Sequence, residues 1–296
     1  MSSSPAPTRC GTIVLAGQPN VGKSTLLNAL VGEPLAIVST KPQSTRLPVI
    51  GLRTEGAAQM IFVDPAGLLD PRYPLQQAMR TEALDVVRRA DLILYLHPAP
   101  LRPVPPLATL LPDGAAPRVP TLTVLTKADQ LDPGAVHAAT PDQVLASAPS
   151  RTGLAEILHW CAKHLPPGPF RYDPDDLSAQ PVRFFVAEFV REAAFAHLGA
   201  ELPYAIAAEV DEFREGSSPL YIRTVLYTER ESQKGMVVGR GGTMIKRIGT
   251  DARRRIEAFL GTPVYLELRV KTLPKWRSRA AALRRLGFRV PPTRSP

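Results

Sequence analysis

Short apolar runs alternate with helix-like segments over the first half of the chain. Continuous apolar runs, each followed by a polar or turn-forming residue, predict buried strands at 12–16, 60–63, 91–96, 121–125 and 143–146. Helical apolar spacing predicts helices at 24–31 and 153–165. Strands of this kind, separated by crossovers, are typical of a mostly parallel sheet with helices on both faces. The fold class predicted for this half is therefore α/β.

The pattern changes at Pro166-Pro167-Gly168-Pro169, which begins a stretch rich in proline, aspartate and serine. These residues interrupt helices and strands, so we predict a domain linker at 169–181. The elements predicted after it are a helix at 182–198, a hairpin of alternating strands at 204–213 and 220–229, a helix at 243–260 and a strand at 263–272. The chain is thus predicted to contain an α/β domain at 9–168 and an α+β domain at 182–290.

The chemistry of the first domain begins where its first strand ends. Residues 17–24 fit G-x-x-x-x-G-K-[ST], the phosphate-binding loop of nucleotide hydrolases, and the flanking pattern is the expected strand and helix. Backbone N–H groups and a helix N-terminus would converge there on phosphates. Lys23 is expected to lie along the β- and γ-phosphates, and Ser24 to bind Mg²⁺. The nucleotide-binding residues predicted in this loop are Gly17, Gln18, Pro19, Asn20, Val21, Gly22, Lys23, Ser24 and Thr25.

Polar motifs follow the later strands at the edge of the sheet where ligands bind. Asp64-Pro65-Ala66-Gly67 is a D-x-x-G motif, in which Asp64 would hold Mg²⁺ through water and Gly67 would offer its N–H to the γ-phosphate. Between it and the loop, Thr45 is the predicted second protein ligand of Mg²⁺. We predict catalytic roles for Lys23, Thr45 and Gly67. Leu68 stands where some GTPases place a glutamine that orients water, so slow hydrolysis is expected.

The base is predicted to lie at the next two strand ends. In Thr126-Lys127-Ala128-Asp129, the Asp129 carboxylate can accept hydrogen bonds from the N1–H and exocyclic amine of guanine, a pair of donors that adenine lacks. The stem of Lys127 can cover the base. A backbone N–H of Ser147-Ala148 can meet the guanine carbonyl. This motif therefore favours GTP over ATP, which makes an ATP-using kinase or ATPase the weaker alternative.

The second domain carries Gly239-Arg240-Gly241-Gly242 between two helical segments. In KH domains a G-x-x-G loop clamps the backbone of about four unpaired nucleotides. Apolar Val237, Val238 and Ile245 would line the groove, and Trp276 would either stack on a base or, as we favour, pack on the domain. The predicted RNA-binding residues are Lys234, Gly239, Arg240, Gly241, Gly242, Lys246 and Arg247. Phosphate contact, and not merely a solvated basic face, is also expected of Arg253, Arg254, Arg255, Lys271, Lys275 and Arg277.

The composition indicates what class of partner the chain binds. The net charge of +9 indicates a polyanion, either nucleic acid or an acidic membrane surface. Nine lysines and arginines, with no acidic residue, lie between Arg269 and the end of the chain. The two cysteines have no metal-type spacing, so neither zinc nor a disulfide framework is expected. No apolar run reaches the length of a membrane span.

In this order, the motifs at 17–24, 64–67, 126–129, 147–148 and 239–242 resemble those of the Era family of bacterial GTPases, over residues 11–290. The resemblance implies a P-loop GTPase domain followed by a type II KH domain, using GTP/GDP and Mg²⁺. It implies slow GTP hydrolysis, binding of 16S ribosomal RNA and a role in assembly of the 30S subunit. A cytoplasmic monomer is expected, with peripheral contact to the cell membrane as an open alternative. Asn20 would either help bind K⁺ or only brace the loop.

The chain departs from the family pattern in two motifs. Thr126 stands where the family has asparagine, although its hydroxyl could still tie the motif to the phosphate loop. Pro65-Ala66 replaces the usual Thr-Pro pair after Asp64. These departures leave a second hypothesis open, an RNA-binding scaffold whose GTPase activity is weak or lost.

Overall fold

The computed structural model describes residues 7–39, 41–114, 117–132 and 142–290, which form two compact units. The first unit takes in the chain up to residue 36, with residues 40–70 and 79–179. The second takes in the chain from residue 180, with the short segments 37–39 and 71–78. Within the described ranges, no helix is both long and apolar enough to cross a membrane.

The first unit is built on a six-stranded sheet in the order β2-β3-β1-β4-β5-β6. Its strands are β1 (Arg9–Ala16), β2 (Val49–Glu55), β3 (Ala58–Asp64), β4 (Leu92–Pro98), β5 (Thr121–Thr126) and β6 (Gln143–Leu145). The helices along this part of the chain are α1 (Lys23–Val31), α2 (Pro74–Arg88) and α3 (Leu154–His164). All neighbouring strands are parallel except β2, which pairs antiparallel with β3. The predicted α/β class and mostly parallel sheet are confirmed, whereas β2 and α2 were not predicted.

The sheet is covered on both faces, as its central strand shows. Consecutive side chains of a strand point to opposite faces. Ile13 and Leu15 on one face of β1 and Val14 and Ala16 on the other are all buried. Burial on both faces explains why most of β1 is apolar. The buried strand also holds its carboxyl end in place, and the glycine-rich loop begins there.

A strap formed by residues 171–178 lies along the outer strand β2, although its composition is that of a linker. The Leu52 N–H donates to the Leu177 carbonyl oxygen at 2.8 Å, and the Ser178 hydroxyl donates to the Ile50 carbonyl oxygen. Gln59, fully buried on β3, accepts hydrogen bonds at its Oε1 from the N–H groups of residues 171 and 172 and donates from its Nε2 to the carbonyl of residue 172. The strap therefore belongs to the first unit.

The second unit combines helices with a three-stranded sheet in the order β7-β8-β9. Its elements are α4 (Val182–His197), β7 (Ala207–Arg214), β8 (Leu220–Thr228), α5 (Glu231–Val238), α6 (Thr243–Leu260), β9 (Val264–Thr272) and α7 (Ala280–Arg285). β7 and β8 are antiparallel, and β8 and β9 are parallel. The order helix-strand-strand-helix-helix-strand confirms the predicted type II KH fold.

Aromatic side chains form much of the core of this unit. The rings of Phe185 and Phe189 on α4 lie 5.1 and 5.3 Å from that of Phe259 on α6. Trp276 is fully buried and donates from Nε1 to the Ala205 carbonyl oxygen at 2.8 Å. The expectation that Trp276 packs on the domain is therefore confirmed.

Candidate functional site

The glycine-rich loop joins the end of β1 to the start of α1, as the sequence predicts. Lys23, the first residue of α1, is buried, and its ammonium donates to the Gln18 carbonyl oxygen at 3.0 Å. The ammonium therefore lies within the curl of the loop, where phosphate groups would meet it. Burial lowers the pKa of Lys23, and the nearby carboxylate of Asp64 opposes that shift.

Three oxygen-bearing side chains from separate segments meet beside this loop. The Ser24 Oγ lies 2.6 Å from Asp64 Oδ2 and 2.9 Å from Thr45 Oγ1, and the Thr45 hydroxyl donates to the same carboxylate oxygen at 3.3 Å. Asp64 is fully buried, and its other oxygen, Oδ1, has no hydrogen-bond partner among the described residues. Burial raises the pKa of Asp64, while Lys23 and the two hydroxyl donors hold it down. An orphaned carboxylate oxygen beside two hydroxyls fits a hard divalent cation that binds oxygen.

The D-x-x-G motif lies directly on the phosphate loop. The Leu68 N–H donates to the Gly17 carbonyl oxygen at 3.0 Å. A Cβ added at Gly67 would stand 2.5 Å from the backbone nitrogen of Pro19, so this close approach requires glycine. Leu68 itself is buried, and its side chain offers no polar group to a water molecule.

Thr126 ties the end of β5 to the phosphate loop. Its hydroxyl is buried and donates to the Val21 carbonyl oxygen at 2.6 Å. The predicted role for a threonine at this position is confirmed by that bond. Since Val21 lies between the loop's two glycines, the bond fixes the loop from the side of the base-binding motif.

The Asp129 carboxylate is held by the neighbouring strand end. The Ser147 hydroxyl donates to Asp129 Oδ1 at 2.6 Å, which leaves the other carboxylate oxygen exposed. Lys127 adopts a left-handed backbone conformation with a φ of 57°. Lys127 and Asp129 line a cleft, together with Gly22, Thr25, Leu26, Thr126, Gln130, Ala146, Ala148 and Pro149.

Two features of this cleft lie beyond the sequence prediction. Ser147 was expected to contribute only a backbone N–H, whereas its side chain orients Asp129. Gln130 and Pro149 line the cleft although neither belongs to a predicted motif. A turn-forming proline and an exposed glutamine carry no sequence signal of their own, so only the fold reveals their position.

The G-x-x-G segment forms a tight turn between α5 and α6. Gly239, Gly241 and Gly242 all have positive φ angles, of 74°, 60° and 76°. A Cβ at Gly241 or Gly242 would meet open space, whereas one at Gly239 would stand 2.8 Å from the Met244 backbone nitrogen. The turn therefore needs glycine for its conformation and leaves its outer backbone accessible to a ligand.

The basic residues around this turn fall into two groups. Arg240, Lys246 and Arg247 are exposed, and Lys234 is partly exposed and pairs with Glu231 at 3.5 Å. The expectation of phosphate contact at Arg255 and Arg277 is not supported, because their guanidinium groups are engaged within the unit. Arg255 pairs with Glu192 at 2.8 Å, and Arg277 donates from Nε to Glu229 at 3.0 Å.

The apolar residues that were predicted to line the RNA groove also fall into two groups, one buried in the core and one partly exposed. Val237 is fully buried and belongs to the core, so its predicted place in the groove was wrong. Val238 and Ile245 remain partly exposed. Met236, which was not predicted as a groove residue, is 62% exposed beside the turn. The helical spacing of α5 turns Val237 inward, and this could not be seen in so short an apolar run.

Comparison with known families matches each unit separately. The family model described as a 50S ribosome-binding GTPase matches residues 12–127, and the KH domain model matches residues 201–277. GTPase Era of Geobacter metallireducens is 38% identical over 293 residues, which are 95% of this chain and 98% of that protein. GTPase Era of Desulfovibrio desulfuricans is also 38% identical, over 95% of this chain and 97% of that protein.

Solved structures agree over the same length. A variant of Aquifex aeolicus Era bound to GDP and AlF4⁻ superposes with a TM-score of 0.88 at 32% identity, over 95% of this chain and 99% of that one. Era in complex with MgGDPNP and nucleotides 1506–1542 of 16S ribosomal RNA gives a TM-score of 0.87 at 32% identity, with the same coverage. A phosphate loop, a D-x-x-G motif and a KH unit occur in the expected order, and whole-length relatives share them: the chain belongs to the Era family of GTPases.

Proposed function

We propose that this GTPase hydrolyses GTP at the cluster of Ser24, Thr45 and Asp64, binds 16S ribosomal RNA through its KH unit, and acts in assembly of the 30S subunit. The observation that carries the proposal is the occurrence of that oxygen cluster and an open G-x-x-G turn in one chain. A relative of full-length similarity has been solved with MgGDPNP and 16S ribosomal RNA bound together.

Guanine selection depends on Asp129. Its free carboxylate oxygen and the one held by Ser147 form a two-point acceptor for the N1–H and exocyclic amine of guanine. Adenine presents no such pair of donors, so ATP would leave the carboxylate without partners. The backbone N–H of Ala148 and the stem of Lys127 complete the recognition on the base edge and face.

Ser24, Thr45 and Asp64 would hold Mg²⁺, which, when bound, supplies positive charge against the β- and γ-phosphates. The chain itself supplies the remaining positive groups. The Lys23 ammonium, already directed into the loop, would bind phosphate oxygens, and the Gly67 N–H would donate to the γ-phosphate. Each group is positioned by backbone that the fold fixes.

Hydrolysis is expected to be slow because the side chain directly after the D-x-x-G motif is apolar and cannot orient the attacking water. Leu68 is buried and apolar. Water must then be positioned by backbone groups, by another residue or by a bound partner. For Asn20, turnover measured in K⁺ and in Na⁺ separates its two candidate roles: faster turnover in K⁺ indicates cation binding, and equal rates indicate that it braces the loop.

RNA binding would centre on the turn at 239–242. Its exposed glycine backbone lets a phosphate approach closely, and Arg240 adds positive charge. The N-terminus of α6 follows at once, and Lys246 and Arg247 lie on its exposed first turns. Together these groups match the clamp of about four unpaired nucleotides that KH loops form.

The decisive experiment titrates the purified chain with GTP, GDP, ATP and xanthosine triphosphate in the presence of Mg²⁺. We expect GTP and GDP to bind and ATP to fail. Asp129→Asn should lose GTP and gain the xanthine nucleotide, whose base presents a carbonyl in place of the exocyclic amine. Absence of GTP binding at millimolar concentration would refute the proposal for the first unit.

A second experiment separates a working GTPase from an RNA-binding scaffold with idle nucleotide motifs. Phosphate release is measured with and without an RNA of nucleotides 1506–1542 of 16S ribosomal RNA, the segment bound in the solved relative. Release above the background of a Lys23→Ala variant supports the GTPase. RNA binding without any release above that background supports the scaffold. RNA affinity measured with GDP and with a nonhydrolysable GTP analogue then tests whether the nucleotide controls RNA binding.

The location follows from the partner. We propose that the protein acts in the cytoplasm and that the basic segment from Arg269 onward gives it affinity for acidic membrane surfaces. Flotation with vesicles that contain anionic lipid tests the second point, with neutral vesicles as the control. Binding that is equal for both vesicle types, or absent from both, would contradict it.

A further inference from the structure

A row of stacked side chains crosses one end of the sheet in the second unit. Arg214 on β7, Tyr221 on β8 and Tyr265 on β9 are direct neighbours in the strand register. The two tyrosine rings are 5.8 Å apart and within 13° of parallel, and the Arg214 guanidinium lies 4.6 Å from the centre of the Tyr221 ring. Tyr221 is thus enclosed between a cation and a ring, and Tyr265 ends the row.

The end of the row is open to solvent. Tyr265 is 58% exposed, while Ile222, on the opposite face of the sheet, is fully buried beneath the helices. At the other end of the outer face, Arg285 of α7 lies 5.2 Å from the centre of the Tyr227 ring and donates to its hydroxyl at 2.6 Å. The C-terminal helix therefore covers one end of this face and the stacked row occupies the other.

The charges beside the row are already paired. Arg214 donates to Glu212 at 2.5 Å, Arg223 pairs with Asp211 at 2.8 Å and with Glu212 at 2.7 Å, and Arg269 pairs with Glu267 at 2.6 Å. Three carboxylates thus balance the three arginines beside the row, while Lys271 lies further along the same face of β9. At the row itself, a ligand would therefore meet flat ring surface whose neighbouring arginines already have carboxylate partners.

We propose that the outer face of Tyr265 is a stacking site for an unpaired base of the RNA that the KH unit binds, which rests on the proposed function. The row of guanidinium and two parallel rings would be extended by one further planar group. Stacking of bases on aromatic side chains is tolerant of sequence, because every base has a π-face.

The edge strand β9 connects this site to the G-x-x-G turn. Thr272, at its end, donates a hydrogen bond to Glu231 at the start of α5, and Leu268 lies 3.4 Å from the position of a Cβ on Gly249 of α6. β9 thus packs against both helices that flank the turn, and its only strand partner in the described sheet is β8. The exposed edge of β9 therefore runs from the helices that flank the turn to the end of the strand that carries Tyr265.

The test compares two single-stranded RNAs, one of about four nucleotides, which the turn alone can hold, and one of about twelve. Tyr265→Leu should weaken binding of the longer RNA by about 5- to 150-fold, the range that loss of one stacked base produces. It should leave binding of the shorter RNA unchanged. Tyr265→Phe should behave as the unmodified protein with both RNAs, since stacking needs the ring and not the hydroxyl.

Tyr172→Leu provides a matched control, since Tyr172 is a partly exposed tyrosine of the first unit. Equal affinity of Tyr265→Leu and the unmodified protein for the longer RNA overturns the proposal and leaves the face to a protein partner. Equal weakening with both RNAs also overturns it, because the substitution would then act on the fold. If the unmodified protein binds neither RNA, the proposed RNA-binding function itself fails, which is distinct from both outcomes.

Discussion

Removal of one hydroxyl group tests whether Thr126 holds the phosphate loop in shape. Thr126→Val keeps the shape of the side chain but removes the donor that meets the Val21 carbonyl oxygen at 2.6 Å. That carbonyl would lose its threonine donor in a buried setting, which costs about 1–3 kcal/mol. Thr126→Ser, which retains the hydroxyl, is the matched control.

The lost free energy can appear in two measurements. If the loop keeps its shape without nucleotide, the whole loss appears as lower stability, at about 2–4 °C in melting temperature per kcal/mol for a unit of this size. If the loop relaxes, part of the loss moves to GTP affinity, where 1.4 kcal/mol is about tenfold in the dissociation constant. The stability loss and the affinity loss should therefore sum to about 1–3 kcal/mol.

Scanning calorimetry without nucleotide and titration calorimetry with GDP measure the two parts. Thr126→Ser should stay close to the unmodified protein in both. If Thr126→Val matches the unmodified protein in both melting temperature and GDP affinity, the hydroxyl contributes nothing and the reasoning is refuted.

Three further substitutions test other contacts. Ser147→Ala removes the 2.6 Å bond to Asp129 and should raise the GTP dissociation constant about tenfold, so unchanged affinity would contradict this. Gly67→Ala forces a Cβ to within 2.5 Å of the Pro19 nitrogen and should lower stability by about 1–3 kcal/mol, measured by thermal melting; an unshifted melting temperature would refute the clash. Burial, with Glu209, raises the pKa of Tyr227 to about 12, above its unfolded value, so its contribution to stability is complete below about pH 10 and is lost towards pH 12. Urea unfolding of Tyr227→Phe across this range should show less loss, and identical pH curves would exclude the effect.

The sequence predicts an element correctly where its residue pattern is compatible with only one type of secondary structure. β1, β3 and β4 are largely buried on both faces and therefore contain continuous apolar runs, whereas β5 alternates threonine and leucine before its buried end. β2 lies at the edge of the sheet and ends in Arg-Thr-Glu, so its apolar signal is short. α2 mixes polar residues with a buried apolar stripe at helical spacing, and it was also not predicted.

The candidate site shows the same limit at the level of single side chains. The spacing of Lys23, Asp64 and Asp129 after strands indicates their common location, because parallel strands end at one edge. The bond from Ser147 to Asp129 and the inward direction of Val237 depend on backbone angles that no spacing encodes. Arg255 reads as an RNA contact from charge alone, and only its partner Glu192, far away in sequence, reveals a packing role.

The strap along β2 determines where the chain can be cut. A fragment that stops at Gly168 would strip the covering from Ile50 and Leu52 and leave an open strand edge, a template for pairing between copies. It would also leave the buried amide of Gln59 without its bonds to residues 171 and 172. A fragment that continues to Ala179 keeps both. The isolated GTPase unit should therefore remain monodisperse only in the longer form, and the shorter one should aggregate on concentration.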